Sequence, residues 1–272
     1  MRESARDQYP GLARPAPRVH DLGVSSVQLE ADALARTTAA LADHALRSAY
    51  VRRALLDMAP DQVADLFTVV MASAEARRRD YAGLLQAISL ALADESCTQL
   101  RITVHAVLTA RQQPALARAL AVEELEEDAE TQRVPDFGRG RPVSLGERKS
   151  LARRNDRELL ARVLRDPHPD VIRILLGNPA LTEPDVVRLC ARRPVSREVL
   201  REIFRSPRWI VRYPVKTALA LNPYTPVDIA LQLVPLLQKG DLRRVCRAED
   251  VETDVREACA RRIGRTGSTV LH

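Results

Sequence analysis

The stretch that decides the fold is residues 166–189, which read DPHPDVIRILLGNPALTEPDVVRL. Two apolar stripes lie within it, one around Val171, Ile174 and Leu175 and one that runs through residues 186–190. Prolines stand beside both stripes, and proline begins a helix readily but is rarely found inside one. The stretch therefore predicts two short helices joined by a tight turn. Helices this short are unstable alone and must pack on their neighbours.

The same punctuation continues through the second half of the chain. Five prolines follow one another at intervals of 12, 15, 13 and 16 residues. They are Pro167, Pro179, Pro194, Pro207 and Pro223. Each interval carries apolar residues at helical spacing, and the stripes continue as far as Leu236. Quasi-periodic short helices of this kind are typical of an α-solenoid.

Part of this pattern is repeated about 40 residues later in the chain. The second copy contains Ser206-Pro207, Val211-Arg212, Asn222-Pro223, Thr225-Pro226 and Leu231 with Leu233. Together the copies resemble the bacterial leucine-rich repeat variant. The additional helix predicted at 196–205 makes the arrangement more similar to HEAT-type helix pairs. The resemblance covers residues 166–237, extends at most over 150–263, and implies an α-solenoid without implying any chemistry. Some members of that family carry an iron–sulfur cluster in a cysteine-rich segment, which this sequence lacks.

The first half of the chain has a different composition. Residues 31–129 contain 25 alanines and residues 130–272 contain ten, whereas twelve of the 17 prolines lie from Pro135 onward. Alanine favours helices, so the first half is predicted to form five amphipathic helices in a bundle or in stacked pairs. Their predicted starts are Ser25 or Ser26, Pro60, the residues after the Arg77–Arg79 run, Ser96 and Pro114. The last of these helices is predicted to run through Leu125.

The chain as a whole is predicted to be all-α, with a boundary at the Gly- and Pro-rich stretch 133–144. The predicted parts are a flexible segment 1–22, an Ala-rich helical domain 23–130, a linker 131–146, an α-solenoid 147–265 and a flexible tail 266–272.

Composition excludes several classes of protein. The 272 residues are 46% hydrophobic and 29% charged, which excludes a disordered chain and a collagen-like fibre. No run of 18 apolar residues and no secretory signal is present, so we expect a cytoplasmic protein without membrane insertion. The four cysteines form no CxxC pair, and Cys190 and Cys246 lie among aliphatic residues. The sequence thus predicts neither a metal site nor a disulfide framework nor a cofactor.

The strongest candidate for a binding surface is the segment 188–216, which carries nine basic residues and two acidic ones. Arg197, Arg201 and Arg205 are four residues apart, which places them on one helix face. The candidate binding residues are Arg188, Arg192, Arg197, Arg201, Arg205, Arg208, Trp209, Arg212, Tyr213 and Lys216. Such a stripe suits docking of an acidic protein, or phosphate contacts with base stacking. It is equally the pattern of a solvated helix face with internal Glu–Arg pairs.

A second basic cluster lies between Arg139 and Arg165, with nine positive residues and three acidic ones. Directly before it, residues 123–130 hold six acids and no base. Either the two runs fold against each other, so that the acidic run masks the basic surface, or each is a docking patch.

Motifs of catalysis are missing from the sequence: it has no Gly-rich phosphate loop, no GxSxG and no HExxH. His168 is predicted to be a turn residue, and Trp209 is more typical of a core position. The sequence favours a non-catalytic protein–protein interaction scaffold whose arginine-lined surface docks an acidic partner. The alternatives are a nucleic-acid-binding solenoid and a HEAT-like DNA glycosylase with Asp185 or Asp228 as its catalytic acid. Oligomeric state is not predicted.

Overall fold

The computed structural model describes residues 19–121, 133–138 and 140–268. These residues form sixteen α-helices and two 3-10 turns, and they contain no strand. The helices are α1 Val19–Ala40, α2 His44–Leu56, α3 Pro60–Glu75, α4 Arg79–Leu92, α5 Thr98–Ala110, α6 Pro114–Arg118, α7 Leu145–Leu151, α8 Arg157–Val163, α9 Pro169–Leu176, α10 Glu183–Ala191, α11 Arg197–Arg205, α12 Pro207–Ile210, α13 Tyr213–Ala220, α14 Val227–Leu233, α15 Lys239–Arg247 and α16 Thr253–Ser268. The prediction of an all-α protein is confirmed.

The helix starts of the first half agree only in part with the sequence pattern. Pro60 and Pro114 begin α3 and α6 as predicted. However, α1 begins at Val19, before the predicted serine caps. Ser96 lies in a 3-10 turn in which the Asp94 carboxylate accepts its backbone N–H at 3.0 Å, so α5 starts only after it. Helix α6 ends at Arg118, earlier than predicted.

In the second half, the five prolines fall at the breaks between helices, and the helices between α7 and α14 are four to nine residues long. Side-chain caps explain several of these starts. Ser144 and Glu147 form a reciprocal capping box at α7, and Asp156 caps α8. His168 caps α9 by accepting the Asp170 backbone N–H on Nδ1, so this turn residue has a structural role. Each cap satisfies backbone donors that a short helix otherwise leaves unpaired.

Two asparagines make the same set of hydrogen bonds in successive turns. Asn178 donates two hydrogen bonds, both of 2.9 Å, to carbonyl oxygens just past the end of α7, and accepts from the backbone N–H of Ala180. Asn222 donates at 2.6 and 3.0 Å to carbonyls at the end of α10 and accepts from the N–H of Tyr224. In each case a buried amide ties a turn to the end of an earlier helix. The two Asn-Pro turns are therefore structurally equivalent.

Several helices of the second half pack on a helix two or three positions along the chain. Helix α9 contacts both α7 and α11, and α10 contacts α13. Ion pairs follow the same spacing: Arg157 with Asp185, Arg173 with Glu202, and Arg201 with Asp228 are 28, 29 and 27 residues apart. Carboxylates and guanidinium groups thus link helices about one helix pair apart.

The apolar core consists of two clusters. One joins α1–α6 to α14–α16, so that Val227, Leu242 and Val255 share a core with Phe67 and Leu84. The other lies within the region from α7 to α14 and includes Leu90 and Ala93 from the end of α4. Among the described residues, no helix is long and apolar enough to cross a membrane. The acidic run 123–130, and the ends of the chain at 1–18 and 269–272, lie outside the described residues.

Candidate functional site: an arginine pocket

The face predicted to be a cationic stripe on α11 is largely used inside the molecule. Arg201 is 6% exposed and donates from Nη1 to Asp228 Oδ2 at 3.1 Å. Arg101 of α5 approaches the same carboxylate oxygen at 3.8 Å and is 8% exposed. Burial lowers the pKa of Arg101, and the charge of Asp228 opposes that effect. This buried triad joins the two halves of the chain, because Arg101 lies in α5 whereas Arg201 and Asp228 lie in α11 and α14.

Arg205 is also committed to partners within the fold. Its Nη1 donates to Glu202 at 3.0 Å and its Nε donates to the carbonyl oxygen of Ala93 at 3.1 Å. Glu202 is 4% exposed and also accepts from Arg173 Nε at 2.7 Å. Arg197, at the start of α11, is half-buried.

Arg173, Glu202 and Arg205 line a cleft of about 1170 Å³ between α2, the end of α4, and the segment from α9 to α12. Its charged lining comprises Arg52, Arg173, Arg205, Arg208, Arg212, Asp43, Asp94, Glu95 and Glu202. Five guanidinium groups thus face four carboxylates. Arg52 and Asp94, for example, are 2.5 Å apart. The cleft, defined by these residues, is close to electrically balanced.

Trp209 is a core residue, 3% exposed, and its indole N–H donates to the Leu176 carbonyl at 2.8 Å. The guanidinium carbon of Arg208 lies 4.5 Å from the centre of the indole ring, in cation–π geometry. Arg208 also donates to the Asn178 carbonyl at 3.1 Å. The ring therefore offers no platform for stacking of a base, and the core interpretation of Trp209 fits its position.

The last three predicted binding residues have separate surroundings. Arg212 is exposed and lies 3.4 Å from Glu183. The Tyr213 hydroxyl donates to Asp241 at 2.6 Å and accepts from the Gln238 N–H; burial, followed by the bond to Asp241, raises the pKa of Tyr213. Burial lowers the pKa of Lys216 to about 8.

Arg188 and Arg192, at the end of α10, behave differently from each other. Arg188 donates to Asp185 at 2.7 Å, a carboxylate that also receives Arg157 in two bonds of 2.6 and 2.8 Å. The bonds from Arg157, and then those from the Thr182 hydroxyl and backbone N–H, hold the pKa of Asp185 far below its usual range. Arg192 belongs to another site.

Arg192 lines a pocket of about 730 Å³ formed by residues 133–137 and 141–143 and the ends of α8 and α10. The charged lining of this arginine pocket comprises Arg133, Arg141, Arg162, Arg165, Arg192 and a single carboxylate, Asp136. Arg141 is paired with Glu147 at 2.5 Å. The other four guanidinium groups have no hydrogen-bond acceptor or ion-pair partner among the described residues, which sets this pocket apart from the cleft.

Local backbone geometry brings one of these arginines against the loop. Gly138 has a φ of +70°, and a Cβ on it would overlap the Arg162 guanidinium group. The Asp136 carboxylate accepts the Gly138 N–H at 2.7 Å and fixes this turn. Only glycine combines that φ with so close an approach at low cost. Gly138 is therefore required for the position of Arg162.

On the other side of the pocket, the positive charges of Arg165 and Arg192 lie close together. Burial first, and then the positive charge of Arg165, lower the pKa of Arg192; the charge of Asp166 acts in the opposite direction. Arg162 stands in the last turn of α8 and Arg192 at the C-terminal cap of α10. The negative ends of these helix dipoles offset part of the repulsion. The pocket thus holds four cations at a site where an anion would be stabilised.

The other candidate chemistry has structural roles. Asp185 and Asp228 are both buried in ion pairs, so neither is placed as a catalytic acid. Cys97, Cys190 and Cys259 are buried free thiols, and burial raises the pKa of Cys259 to about 12. Within the described part of the chain, no cluster of three potential metal ligands occurs.

The arginine pocket combines parts of both basic clusters that the sequence shows. Arg162 and Arg165 come from the cluster 139–165, Arg192 from the segment 188–216, and Arg133 from neither. Arg165 and Arg192 are 27 residues apart, which matches the spacing of the ion pairs between helices. That register, rather than charge density, is the sequence signal that places them together.

Comparison of the chain with family models, with curated proteins and with solved structures finds no match.

Proposed function

We propose that the protein is a non-catalytic docking module that binds an acidic segment of a partner protein in the arginine pocket. One observation carries the proposal: four guanidinium groups share one concave surface with no partner among the described residues. Arginine is favoured at protein interfaces, and complementary charge steers association and fixes specificity. The C-terminal half belongs in this proposal to the α-solenoid type with leucine-rich repeat variant or HEAT-like units. The equivalent Asn178 and Asn222 turns support that assignment.

The difference in internal bonding between the two sets of arginines favours this pocket over the stripe predicted from the sequence. Arg201 and Arg205 are bonded to acids and carbonyls of the protein itself, so an incoming acid would have to displace those partners. Within the described part of the chain, Arg133, Arg162, Arg165 and Arg192 have no such bonds to break. An acid that binds there displaces no partner among those residues.

The alternative of a nucleic-acid-binding protein has less support. Single-stranded nucleic acid is held by a basic track interleaved with aromatic stacking platforms. Trp209 is buried, the Tyr213 hydroxyl is bonded to Asp241, and Phe137, the aromatic residue in the pocket wall, is 5% exposed. A compact cationic pocket suits a short acidic segment better than a long polyanion.

Binding of a labelled Glu- and Asp-rich peptide, followed by fluorescence anisotropy at near-physiological salt, tests the proposal. The variant Arg162→Gln/Arg165→Gln/Arg192→Gln is expected to weaken binding about tenfold or more, because rim and pocket charges set such affinities. Arg53→Gln/Arg243→Gln/Arg247→Gln removes the same charge from exposed positions outside the pocket and is expected to bind like wild type.

Equal weakening by both triple variants would show a diffuse charge effect and would contradict the proposal. Tighter binding of an oligodeoxythymidine of equal net charge, with a steep dependence on salt, would favour the nucleic-acid alternative instead.

A further inference from the structure

The arginine pocket holds four guanidinium groups that are unpaired among the described residues, which is more than any single carboxylate binds in the described ion pairs. Asp185 is shared by Arg157 and Arg188, and Glu202 by Arg173 and Arg205. The most heavily engaged carboxylates in the described ion pairs therefore have two arginine partners close enough for hydrogen bonds. A single Asp or Glu side chain in the pocket would satisfy about half of the four groups.

Repulsion among the pocket arginines also calls for more than one negative charge. Arg165 and Arg192 are close enough for the charge of one to disfavour that of the other, and Arg192 is half-buried. Among the described residues of the free protein, this repulsion is offset by helix ends and by Asp166, whose carboxylate is already bonded to Arg148 at 2.8 Å. A dianion would pair with both cations at once.

We infer that the arginine pocket recognises a phosphorylated side chain on the partner segment, an inference that rests on the proposed docking function. A phosphomonoester carries a charge of about −1.5 to −2 at pH 7 and three strong acceptor oxygens. Guanidinium groups bind such oxygens through pairs of parallel N–H bonds. Four guanidinium groups around one concavity match three oxygens, whereas a carboxylate offers two.

The apolar part of the lining indicates that the ligand is a peptide. Six apolar residues wall the pocket: Val134, Pro135, Phe137, Pro142, Val143 and Pro194. Its volume of about 730 Å³ is of the size that holds a whole small ligand, not only a phosphate group. Val134 is 45% exposed, so part of this apolar wall is open to a ligand. The residues that flank the phosphorylated one would cover this wall.

Four labelled probes of one short acidic sequence test the inference: peptides with phosphoserine, glutamate or serine at the central position, and an oligodeoxynucleotide of the same net charge as the phosphopeptide. Dissociation constants are measured by fluorescence anisotropy with the full chain at fixed ionic strength. We expect the phosphoserine peptide to bind about tenfold more tightly than the glutamate peptide, because a charge-assisted phosphate bond engages more guanidinium groups. Arg165→Gln/Arg192→Gln is expected to abolish this preference, and the matched Arg243→Gln/Arg247→Gln is expected to keep it.

Each other outcome is decisive. Equal affinity of wild type for the phosphoserine and glutamate peptides would overturn the inference and leave acidic docking intact. Absence of binding by every peptide would overturn both. If the phosphate preference survives in Arg165→Gln/Arg192→Gln, the phosphate is recognised elsewhere. Tighter binding of the oligonucleotide than of the phosphopeptide would assign the pocket to nucleic acid.

Discussion

The cleft and the arginine pocket contain the same number of arginines but differ in their acids. In the cleft, five guanidinium groups face four carboxylates, and Glu202 alone holds two of them. In the arginine pocket, five face Asp136, and four are unpaired within the described chain. Counting arginines along the sequence does not separate the two sites. The supply of carboxylates does, because an arginine stabilises a fold only where an acid or carbonyl accepts its bonds.

This difference divides the basic residues into two groups. Arg173, Arg201 and Arg205 join helices, and removing their acids should destabilise the fold. Arg165 and Arg192 repel each other, and Arg162 is unpaired among the described residues, so these three should contribute little to folding. We therefore predict large stability losses where acids are removed and almost none where pocket arginines are removed.

The largest loss is expected for Asp228→Asn. This change leaves the buried guanidinium groups of Arg101 and Arg201 without their shared carboxylate. Breaking a buried ion pair from one side costs about 3 to 5 kcal/mol. Urea unfolding at pH 7 should show a free energy of unfolding lower by about 3 kcal/mol.

The matched control for that experiment is Asp250→Asn. Asp250 pairs with Arg193 at the surface, with both side chains nearly half exposed. Surface pairs contribute about 0 to 1 kcal/mol, so this variant should unfold almost like wild type. A loss of similar size in both variants would mean that the buried triad has no special role.

An intermediate loss is expected in the cleft for Glu202→Gln. The change removes the carboxylate that Arg173 and Arg205 share, and both arginines are only partly buried, so water compensates in part. The free energy of unfolding should fall by about 2 kcal/mol. Glu183→Gln, which affects only the exposed pair with Arg212, is the control; a Glu202→Gln variant as stable as this control would contradict the balanced cleft.

Much of the fold was predictable from local signals. Proline positions predict the breaks between the short helices, and the repeated Asn-Pro dipeptides at Asn178 and Asn222 mark two turns with the same set of hydrogen bonds. Pro60 and Pro114 begin helices as predicted, since a missing N–H costs nothing in the first turn. The predicted helix start at Ser96 was wrong, because the nearby Asp94 carboxylate accepts the Ser96 backbone N–H in a 3-10 turn.

Burial of charge was not predictable in the same way. The sequence predicts one exposed stripe from Arg197, Arg201 and Arg205. In the structure, Arg201 is buried beside Asp228 of α14, a carboxylate that Arg101 of α5 also approaches. The sequence within α11 contains nothing that reports a partner 27 residues further on. Nor does charge density in 139–165 or 188–216 show that Arg165 and Arg192 meet. The two clusters meet because Arg165 and Arg192 are 27 residues apart, which is the spacing of the ion pairs between helices.

The difference between the arginine pocket and the cleft is tested most directly by comparing the free energies of unfolding of Arg165→Gln and Arg173→Gln. Both variants replace an exposed arginine by glutamine. Arg173 bonds to the buried Glu202, so its loss should lower the free energy of unfolding by about 1 kcal/mol. Arg165 has no partner among the described residues and repels Arg192, so its loss should leave the free energy of unfolding within about 0.5 kcal/mol of wild type or raise it. Urea unfolding of both variants in a buffer without multivalent anions gives the answer. A loss for Arg165→Gln as large as that for Arg173→Gln would show that the pocket arginines are paired after all and would contradict the account.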